Sequence, residues 1–235
     1  MIFSFICRRL CVAALLAVAA TSAQAATPLS GEPLLDKLAE AAPELDRKVL
    51  SLATRAVSCT LRQPGPPPAT LSVIDFSRPS TEPRLWVFDL ASHSLLFEEL
   101  VAHGRNTGDN VATAFSNRSG SHMSSLGVFR TAESYVGANG YSLRLDGLEP
   151  GFNDLARDRA IVIHGAPYVS PEIARAQGRQ GRSLGCPAVR PAIARDLIDR
   201  IRGGSLVFAY YPDSDWLAQS RLLEGSCGDT RQASS

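Results

Sequence analysis

The chain has 235 residues, which allows one large domain or two small ones, and 45% of them are hydrophobic, a globular rather than a disordered composition. Its formal net charge of +1 gives no electrostatic basis for holding nucleic acid, so we expect no nucleic-acid partner.

The first 25 residues have the pattern of a secretory signal. Arg8 and Arg9 precede the apolar run LCVAALLAVAA, and Ala23 and Ala25 follow in the small-x-small spacing of a cleavage site. The run is shorter than the roughly 20 apolar residues that a membrane span requires. We therefore predict a signal peptide over residues 1–25, with an uncleaved anchor as the alternative. The mature protein is expected in the periplasm or facing the cell wall, without integral membrane association.

Cleavage near Ala25 leaves three cysteines in the mature chain, Cys59, Cys186 and Cys227. In an oxidising compartment an odd number leaves one thiol unpaired or pairs it between molecules. Cys59 and Cys227 flank the main body of the chain, and a bridge between them would leave Cys186 free. The sequence leaves this pairing open.

Residues 26–69 are predicted to hold N-terminal helices and a proline-rich arm. Apolar residues recur at helical spacing over 32–57, and Pro43 would break one long helix. Since proline suits the first position of a helix, we expect a second helix to begin at Pro43. The stretch QPGPPPAT over 63–70 is typical of a semi-rigid linker.

From residue 70 the pattern changes to strands, and residues 70–212 are assigned to one domain. Two pairs of strands flank short turns and predict hairpins, and the best helix begins with Pro191 and ends at Gly203. The predicted strands cover 71–77, 84–90, 95–104, 125–137, 141–148, 160–165 and 205–211, with a helical turn at 171–179. Residues 213–235 are assigned to a C-terminal tail. Many short strands with one good helix indicate a mainly β fold with a few helices.

A histidine and a cysteine stand at positions suited to thiol catalysis. The strand AIVIHG ends in His164 and Gly165, and Cys186 follows His164 by 22 residues in GRSLGCPAVR, just before the predicted helix. A thiolate is the nucleophile, a histidine within reach takes its proton, and the positive end of a helix stabilises the anion. Gly185 allows a tight turn, its amide and that of Cys186 would point at a substrate oxyanion, and Ser183 would hold the loop or a substrate group. A purely structural role for His164 and Cys186 is the alternative.

These motifs are part of a longer resemblance. IHG at 163–165 and SLGC at 183–186 resemble the catalytic region of the L,D-transpeptidase (YkuD-like) family, in which a histidine before glycine is followed by Ser/Thr-x-Gly-Cys. Upstream, LSVIDFSRPSTEPRLWVFDL, AHGRNTG and FSNRSGSHMSSLGVFRT are similar to the subgroup named murein L,D-transpeptidase catalytic domain proteins. The resemblance covers residues 70–210 and implies a β-sandwich-like, mixed-sheet catalytic domain, preceded by short N-terminal helices.

The resemblance implies an enzyme that acts on peptidoglycan stem tetrapeptides. Cys186 would attack the carbonyl of the third stem residue and expel the terminal D-Ala, leaving a thioester. An amine of a second stem would resolve the thioester to a 3–3 crosslink, and water would instead make the enzyme an L,D-carboxypeptidase. His164 would be the general base and acid, oriented by the carbonyl of Gly165, and Gly185 would serve the oxyanion hole. No metal or other cofactor is implied.

The resemblance also indicates residues around the substrate groove. Gly127 and Phe129 match positions on the strand that lines the groove in the family. Apart from the resemblance, Arg182 is basic and close to Cys186, and it would either supply a positive charge for a substrate carboxylate or be a solvated loop charge. His103 and His122 lie in glycine- and serine-rich loops, where they would either border the groove or be ordinary surface residues.

The sequence departs from many family members at Leu184, where they have histidine, and at Ala188, where they have arginine. Two other functions stand as alternatives. A sortase-like transpeptidase also places histidine before cysteine, but it requires an arginine on a strand soon after the cysteine, and here a helix follows. A non-catalytic wall-binding module would hold Cys186 in a disulfide with Cys59 or Cys227.

Overall fold

The computed structural model describes residues 32–224 and Cys227, and within them the chain forms five helices and eight strands. The prediction of a mainly β fold with a few helices is confirmed. The helices are α1 (Glu32–Ala41), α2 (Arg47–Leu61), α3 (Pro171–Gln177), α4 (Pro191–Ile201) and α5 (Ser214–Gln219). The strands are β1 (Thr70–Asp75), β2 (Leu85–Asp89), β3 (Leu95–Glu99), β4 (Gly127–Gly137), β5 (Gly140–Gly147), β6 (Val162–Gly165), β7 (Ala188–Val189) and β8 (Leu206–Tyr210).

All eight strands belong to one mixed sheet with the order β3-β2-β1-β8-β4-β5-β6-β7. Strand β1 lies parallel to β8, and β6 lies parallel to β7, while the other neighbours are antiparallel. The two hairpins expected from the sequence are present as β2–β3 and β4–β5. The parallel β6–β7 pair lies at one edge of the sheet. It brings together two segments whose first residues, Val162 and Ala188, are 26 positions apart in the chain.

The second helix begins at Arg47, so the prediction that it would begin at Pro43 is wrong. The carboxylate of Asp46 accepts hydrogen bonds from the backbone N–H groups of Lys48 at 2.7 Å and Val49 at 3.1 Å. A carboxylate at the start of a helix accepts hydrogen bonds from two of the free N–H groups there. A proline fits the first helical position but satisfies none of these groups, so it is the weaker signal. Pro43 lies instead in the turn between the two helices.

The N-terminal helices and the sheet share one hydrophobic core. Leu38 on α1 and Leu50 and Val57 on α2 are fully buried in the same cluster as the sheet residues. Every residue of β1 and β8 is buried, and α2 packs against both strands while α4 packs against β1. The helical part of the segment 26–69 therefore packs as part of the sheet's own core rather than as a separate arm.

The chain after β8 is tied to the body at two points. Helix α5 lies within the segment that the sequence analysis assigned to the C-terminal tail, and its Trp216 is fully buried. The indole N–H of Trp216 donates to the buried carboxylate of Glu149 at 3.0 Å. Cys227 forms a disulfide with Cys59 on α2, with 5.2 Å between their Cα atoms.

The predicted signal peptide, residues 1–25, lies outside the described residues, as does the polar end of the chain after Cys227. Within the described part of the chain, none of the helices has the length and apolar character needed to cross a membrane.

Candidate active site

Strand β6 presents His164 beside the loop that carries Cys186. In the parallel β6–β7 ladder, His164 lies opposite Ala188 and Gly165 lies opposite Val189. A Cβ atom on Gly165 would come within 2.9 Å of the Cβ of Ala194, so the glycine allows α4 to pack directly on the strand end. This packing holds the strand end and the cysteine loop in one fixed register.

Cys186 is the free cysteine of the described residues, and its side chain is 8% exposed. Its Sγ accepts a hydrogen bond from the N–H of Val162 at 3.4 Å and donates to the carbonyl of Ala160 at 3.6 Å. Burial raises the pKa of the Cys186 thiol, while the N–H of Val162 and the charge of Arg159 act in the opposite direction. The resting thiol is therefore protonated at neutral pH, with a donor and a cation in place to stabilise its anion.

The imidazole of His164 has a defined orientation. Its Nδ1 lies 3.1 Å from the carbonyl oxygen of Gly165, and because a carbonyl only accepts, Nδ1 carries the proton and Nε2 is left as a base. Burial lowers the pKa of His164, and the bond to Gly165 partly offsets that effect. The ring sits two residues beyond Val162, about 7 Å along the strand. Among the described residues, no hydrogen bond joins it directly to the Cys186 thiol.

The loop before Cys186 is closed by its own serine. The hydroxyl of Ser183 donates to the carbonyl of Cys186 at 2.6 Å and accepts from the N–H of Gly185 at 3.0 Å. Ser183 was expected to hold either the loop or a substrate group, and these bonds correspond to the first role. Since the N–H of Gly185 is occupied, it is not free for an oxyanion in this conformation. The N–H of Cys186 has no acceptor within the described residues and is free to bind one.

The connection between β3 and β4, residues 100–126, is hydrogen-bonded to the loop that carries Cys186. The backbone of Ser183 exchanges hydrogen bonds with His103 and Arg105, at 3.0 and 2.8 Å. The hydroxyl of Ser124 donates to the carbonyl of Gly185 at 3.0 Å. Sequence reasoning did not single out Ser124, because its partner lies 61 residues away and no local pattern connects them.

The two histidines of the 100–126 segment have different surroundings. His103 is 1% exposed, and its Nδ1 accepts from the guanidinium of Arg84 at 2.9 Å. Burial and the adjacent charge lower the pKa of His103 to about 4. His103 is thus buried, so it neither borders an open groove nor lies on the surface, and both interpretations considered from the sequence are wrong for this residue. His122 is half-buried, and its Nδ1 accepts from Arg105 at 2.7 Å.

The remaining predicted substrate-binding residues have partners of their own. Arg182 donates to Asp109 at 2.8 Å and to the carbonyl of Gly108 at 3.2 Å, so a carboxylate of the protein already faces its charge. Gly127 is buried against Glu149, whose Oε1 lies 2.6 Å from the position of a Cβ, and Phe129 is 3% exposed. These contacts place Gly127 and Phe129 in the core of the domain rather than on an open surface.

A small cavity of about 10 Å³ lies directly behind the cysteine loop. Phe129, Ile161, Gly185 and Pro187 are among the residues that line it. Its size admits at most one water molecule. The loop that carries the thiol is therefore packed against the core with little room to move inward.

Two residues near the thiol escaped the sequence analysis. Arg159 lies five residues before His164, and its charge acts on the Cys186 thiol. Tyr168 lies four residues after His164, and burial, together with the thiol, raises its pKa to about 12. The only sequence signal for either was its proximity to the AIVIHG strand.

The sequence model of one protein family, described as L,D-transpeptidase catalytic domain (YkuD_2), matches residues 41–210. The chain belongs to this family. The match covers α2, the whole sheet and α4, and it includes both His164 and Cys186. The match confirms the resemblance to the L,D-transpeptidase family that the two motifs suggested. No curated protein sequence matches the chain.

Several solved structures match part of the chain at low sequence identity. The enzyme from Mycobacterium smegmatis is 14% identical, with a TM-score of 0.37, and the match covers 61% of this chain and 59% of that one. The enzyme from Stackebrandtia nassauensis is 13% identical, with a TM-score of 0.38 and 77% of each chain covered. A helical cell shape determining protein from Campylobacter jejuni is 12% identical, with a TM-score of 0.41, over 62% of this chain and 49% of that one. The match thus spans less than two thirds of the Mycobacterium smegmatis and Campylobacter jejuni proteins.

Proposed function

We propose that this L,D-transpeptidase family member is an exported cysteine acyltransferase that acts on peptidoglycan stem tetrapeptides. The observation that carries the proposal is a free thiol, Cys186, in a loop paired with the strand of His164, whose Nδ1 is fixed by the Gly165 carbonyl. The family match supports the reaction class. Export follows from the signal pattern of residues 1–25.

Acylation begins when His164 Nε2 accepts the thiol proton of Cys186. In the resting state the thiol points to the Ala160 carbonyl, so its side chain must first rotate toward the imidazole. The thiolate then attacks the carbonyl carbon of the third stem residue, and the free N–H of Cys186 binds the developing oxyanion. The peptide C–N bond breaks, His164 returns the proton to the departing amine, and D-Ala leaves behind a thioester.

The second half-reaction regenerates the thiolate. An amine of another stem attacks the thioester carbon, His164 accepts the excess proton of that amine, and the C–S bond breaks as the new peptide bond forms. This transfer yields a 3–3 crosslink. Water in place of the amine makes the same site an L,D-carboxypeptidase, and the reaction product distinguishes the two activities.

The thiol of Cys186 and the imidazole of His164 are both neutral in the resting site. Burial raises the pKa of Cys186 and lowers that of His164, so a neutral thiol and a neutral imidazole face the site at pH 7. A neutral pair suits a wall enzyme in an oxidising compartment, because the thiolate is the form that oxidants attack.

The decisive variant is Cys186→Ala, which removes the sulfur and leaves the backbone of the loop intact. We expect loss of D-Ala release and of crosslinked dimer when purified tetrapeptide muropeptides are incubated with the variant and analysed by mass spectrometry. Ser92→Ala, in the exposed β2–β3 turn, is the control and should retain full activity. Release of D-Ala at the native rate by a folded Cys186→Ala protein would reject the assignment.

The non-catalytic alternative, a wall-binding module with Cys186 in a disulfide, is disfavoured by the pairing of Cys59 with Cys227. Cys186 then has no intramolecular partner among the described cysteines. Mass spectrometry of the alkylated, unreduced protein tests this point, because only a free Cys186 gains the mass of the alkyl group.

A further inference from the structure

Arg159 connects the end of the turn before β6 to one face of the 100–126 segment. Its Nη1 donates to the carbonyl of Ser116 at 2.7 Å and to the hydroxyl of Ser125 at 2.5 Å. Its Nη2 donates to the hydroxyl of Ser121 at 3.1 Å and to the carbonyl of Met123 at 2.6 Å. The planar guanidinium fork thus fixes four points within ten residues of the segment.

All four acceptors of Arg159 are uncharged, and among the described residues it has no carboxylate partner. Arg157, two residues earlier, contrasts with it, because its guanidinium pairs with Asp146 and Glu133 at the surface. Burial penalises the charge of Arg159 and lowers its pKa, whereas a negative Cys186 would raise it. The half-buried cation is therefore uncompensated until an anion forms nearby.

The fork lies against the cysteine loop. A Cβ atom on Gly185 would be 3.5 Å from Arg159 Nη2 and 2.8 Å from the Met123 carbonyl that Arg159 binds. The residue after Arg159 is Ala160, whose carbonyl accepts from the Cys186 thiol. Ala160 also has a left-handed backbone, with φ of 53°, which a non-glycine residue adopts only where the surroundings enforce it.

We propose that Arg159 is a positioning residue for Cys186, which fixes residues 116–125 against the cysteine loop and supplies the positive charge that favours the thiolate. The proposal rests on the proposed role of Cys186 as nucleophile. A protein interior disfavours an isolated thiolate, and a cation without a counter-ion offsets that penalty when the sulfur ionises.

The other ionisable groups around the thiol do not supply this charge. Burial lowers the pKa of His164 and raises that of Tyr168 to about 12, so both are neutral at pH 7. From the 100–126 segment, Arg105 directs its guanidinium to His122 at 2.7 Å. Arg159 is the cation whose charge acts directly on the Cys186 thiol.

The test measures the ionisation of Cys186 without any peptidoglycan substrate. The full chain is alkylated with iodoacetamide over a series of pH values, and modification of Cys186 is quantified by peptide mass spectrometry, which separates it from Cys7 and Cys11. We expect Arg159→Gln to raise the midpoint of alkylation by about one pH unit. Arg157→Gln is the matched control, because it removes a nearby arginine whose charge is already paired, and should leave the midpoint unchanged.

Hydrogen exchange of residues 116–125 tests the positioning part. We expect faster exchange in both Arg159→Gln and Arg159→Lys, while the lysine keeps the charge and leaves the midpoint near the native one. A folded Arg159→Gln protein with native midpoint and native exchange would overturn the proposal. Should that variant not fold, Arg159→Lys decides: faster exchange with a native midpoint supports the proposal, and unchanged exchange overturns it. Because neither readout needs turnover, failure here is distinct from failure of the transpeptidase assay.

Discussion

Position 185 requires glycine for two separate reasons. Its φ of 126° lies in a region that residues with a side chain rarely adopt. A Cβ there would also approach the Met123 carbonyl to 2.8 Å and the Cδ1 of Ile161 to 3.0 Å. Both neighbours are held in place, the first by Arg159 and the second by the core. The loop that carries the thiol is therefore intolerant of any side chain at this point.

Gly185→Ala is expected to reduce both stability and the reactivity of Cys186. Gly120→Ala is the matched control, since Gly120 also has a positive φ, 70°, but open space around the added methyl group. We expect the control to lose about 1 kcal/mol of unfolding free energy from backbone strain alone. In denaturant unfolding the Gly185 variant should lose more unfolding free energy than the control, and its Cys186 should be alkylated more slowly than in the native protein. Equal losses in the two variants would show that the contact with Met123 does not matter.

Reasoning from sequence predicted the residues of the site that are close in the chain and missed those that are distant. Short motifs contain His164 with Gly165 and Ser183 with Cys186, so the residue types and their spacing can be recognised in the sequence. Arg159 and Ser124 lie 27 and 62 positions before Cys186 and act on its loop through contacts that only the folded chain creates. Arg182 was suggested because it is basic and near Cys186, but its charge faces Asp109.

At the scale of elements, a buried Arg84–His103 pair fixes the start of the 100–126 segment. The guanidinium of Arg84 donates to the Val101 carbonyl at 2.8 Å and to His103 Nδ1 at 2.9 Å. Since a guanidinium has no acceptor, Nδ1 of His103 must be unprotonated, and Nε2 donates to Gly108 at 3.3 Å. Protonation of Nδ1 would remove this bond and place two positive charges together.

This pair predicts a loss of stability in acid. The pKa of His103 is about 4 in the folded protein, against an ordinary value of 6.5. Between these values the unfolded chain binds a proton that the folded chain does not, so stability is full above pH 6.5 and falls as the pH drops toward 4. The loss of unfolding free energy over this pH range is about 3 kcal/mol for a pKa shift of this size.

The measurement is the unfolding free energy at pH 7 and pH 4 for native protein, His103→Gln and His93→Gln. Glutamine has a carbonyl oxygen that can accept from Arg84 but no proton to gain, so His103→Gln should lose about 3 kcal/mol less than the native protein over this interval. His93, in the β2–β3 turn, is the control and should follow the native protein. A native-like acid dependence in His103→Gln would contradict the assignment of this group.

Most elements were predictable because their signals are local. Alternating and apolar runs separated by turn residues predicted β1 to β6 and β8, and proline at position 191 marked the start of α4. Helix α5 was missed because six residues are too few for a helical period to emerge, and its position depends on Trp216 reaching Glu149 across the fold. Strand β7 has only two residues and exists because β6 lies beside it.

At the scale of the whole molecule, the helices before residue 62 and the disulfide near the end of the chain belong to the same structure as the sheet that carries His164. Leu50 on α2 is fully buried, and α2 packs on β1 and β8 at the centre of the sheet. Cys59, on the same helix, is joined to Cys227 across 168 positions of the chain. We therefore expect the helices and the sheet to unfold in one transition.

Leu50→Ala tests this cooperativity. Removal of the buried side chain should lower the unfolding free energy by about 2–5 kcal/mol, because it loses burial and leaves a cavity. The two tryptophans of the chain, Trp86 on β2 and Trp216 on α5, report by fluorescence on parts of the fold remote in sequence from α2. Their transition should shift to lower denaturant together with the exposure of Cys186. Arg55→Ala, on the exposed face of α2, should change the transition by about 0.5 kcal/mol or less. If Leu50→Ala left the fluorescence transition in place, the helices would be an independent unit, and the sheet alone would have to hold Cys186 beside β6.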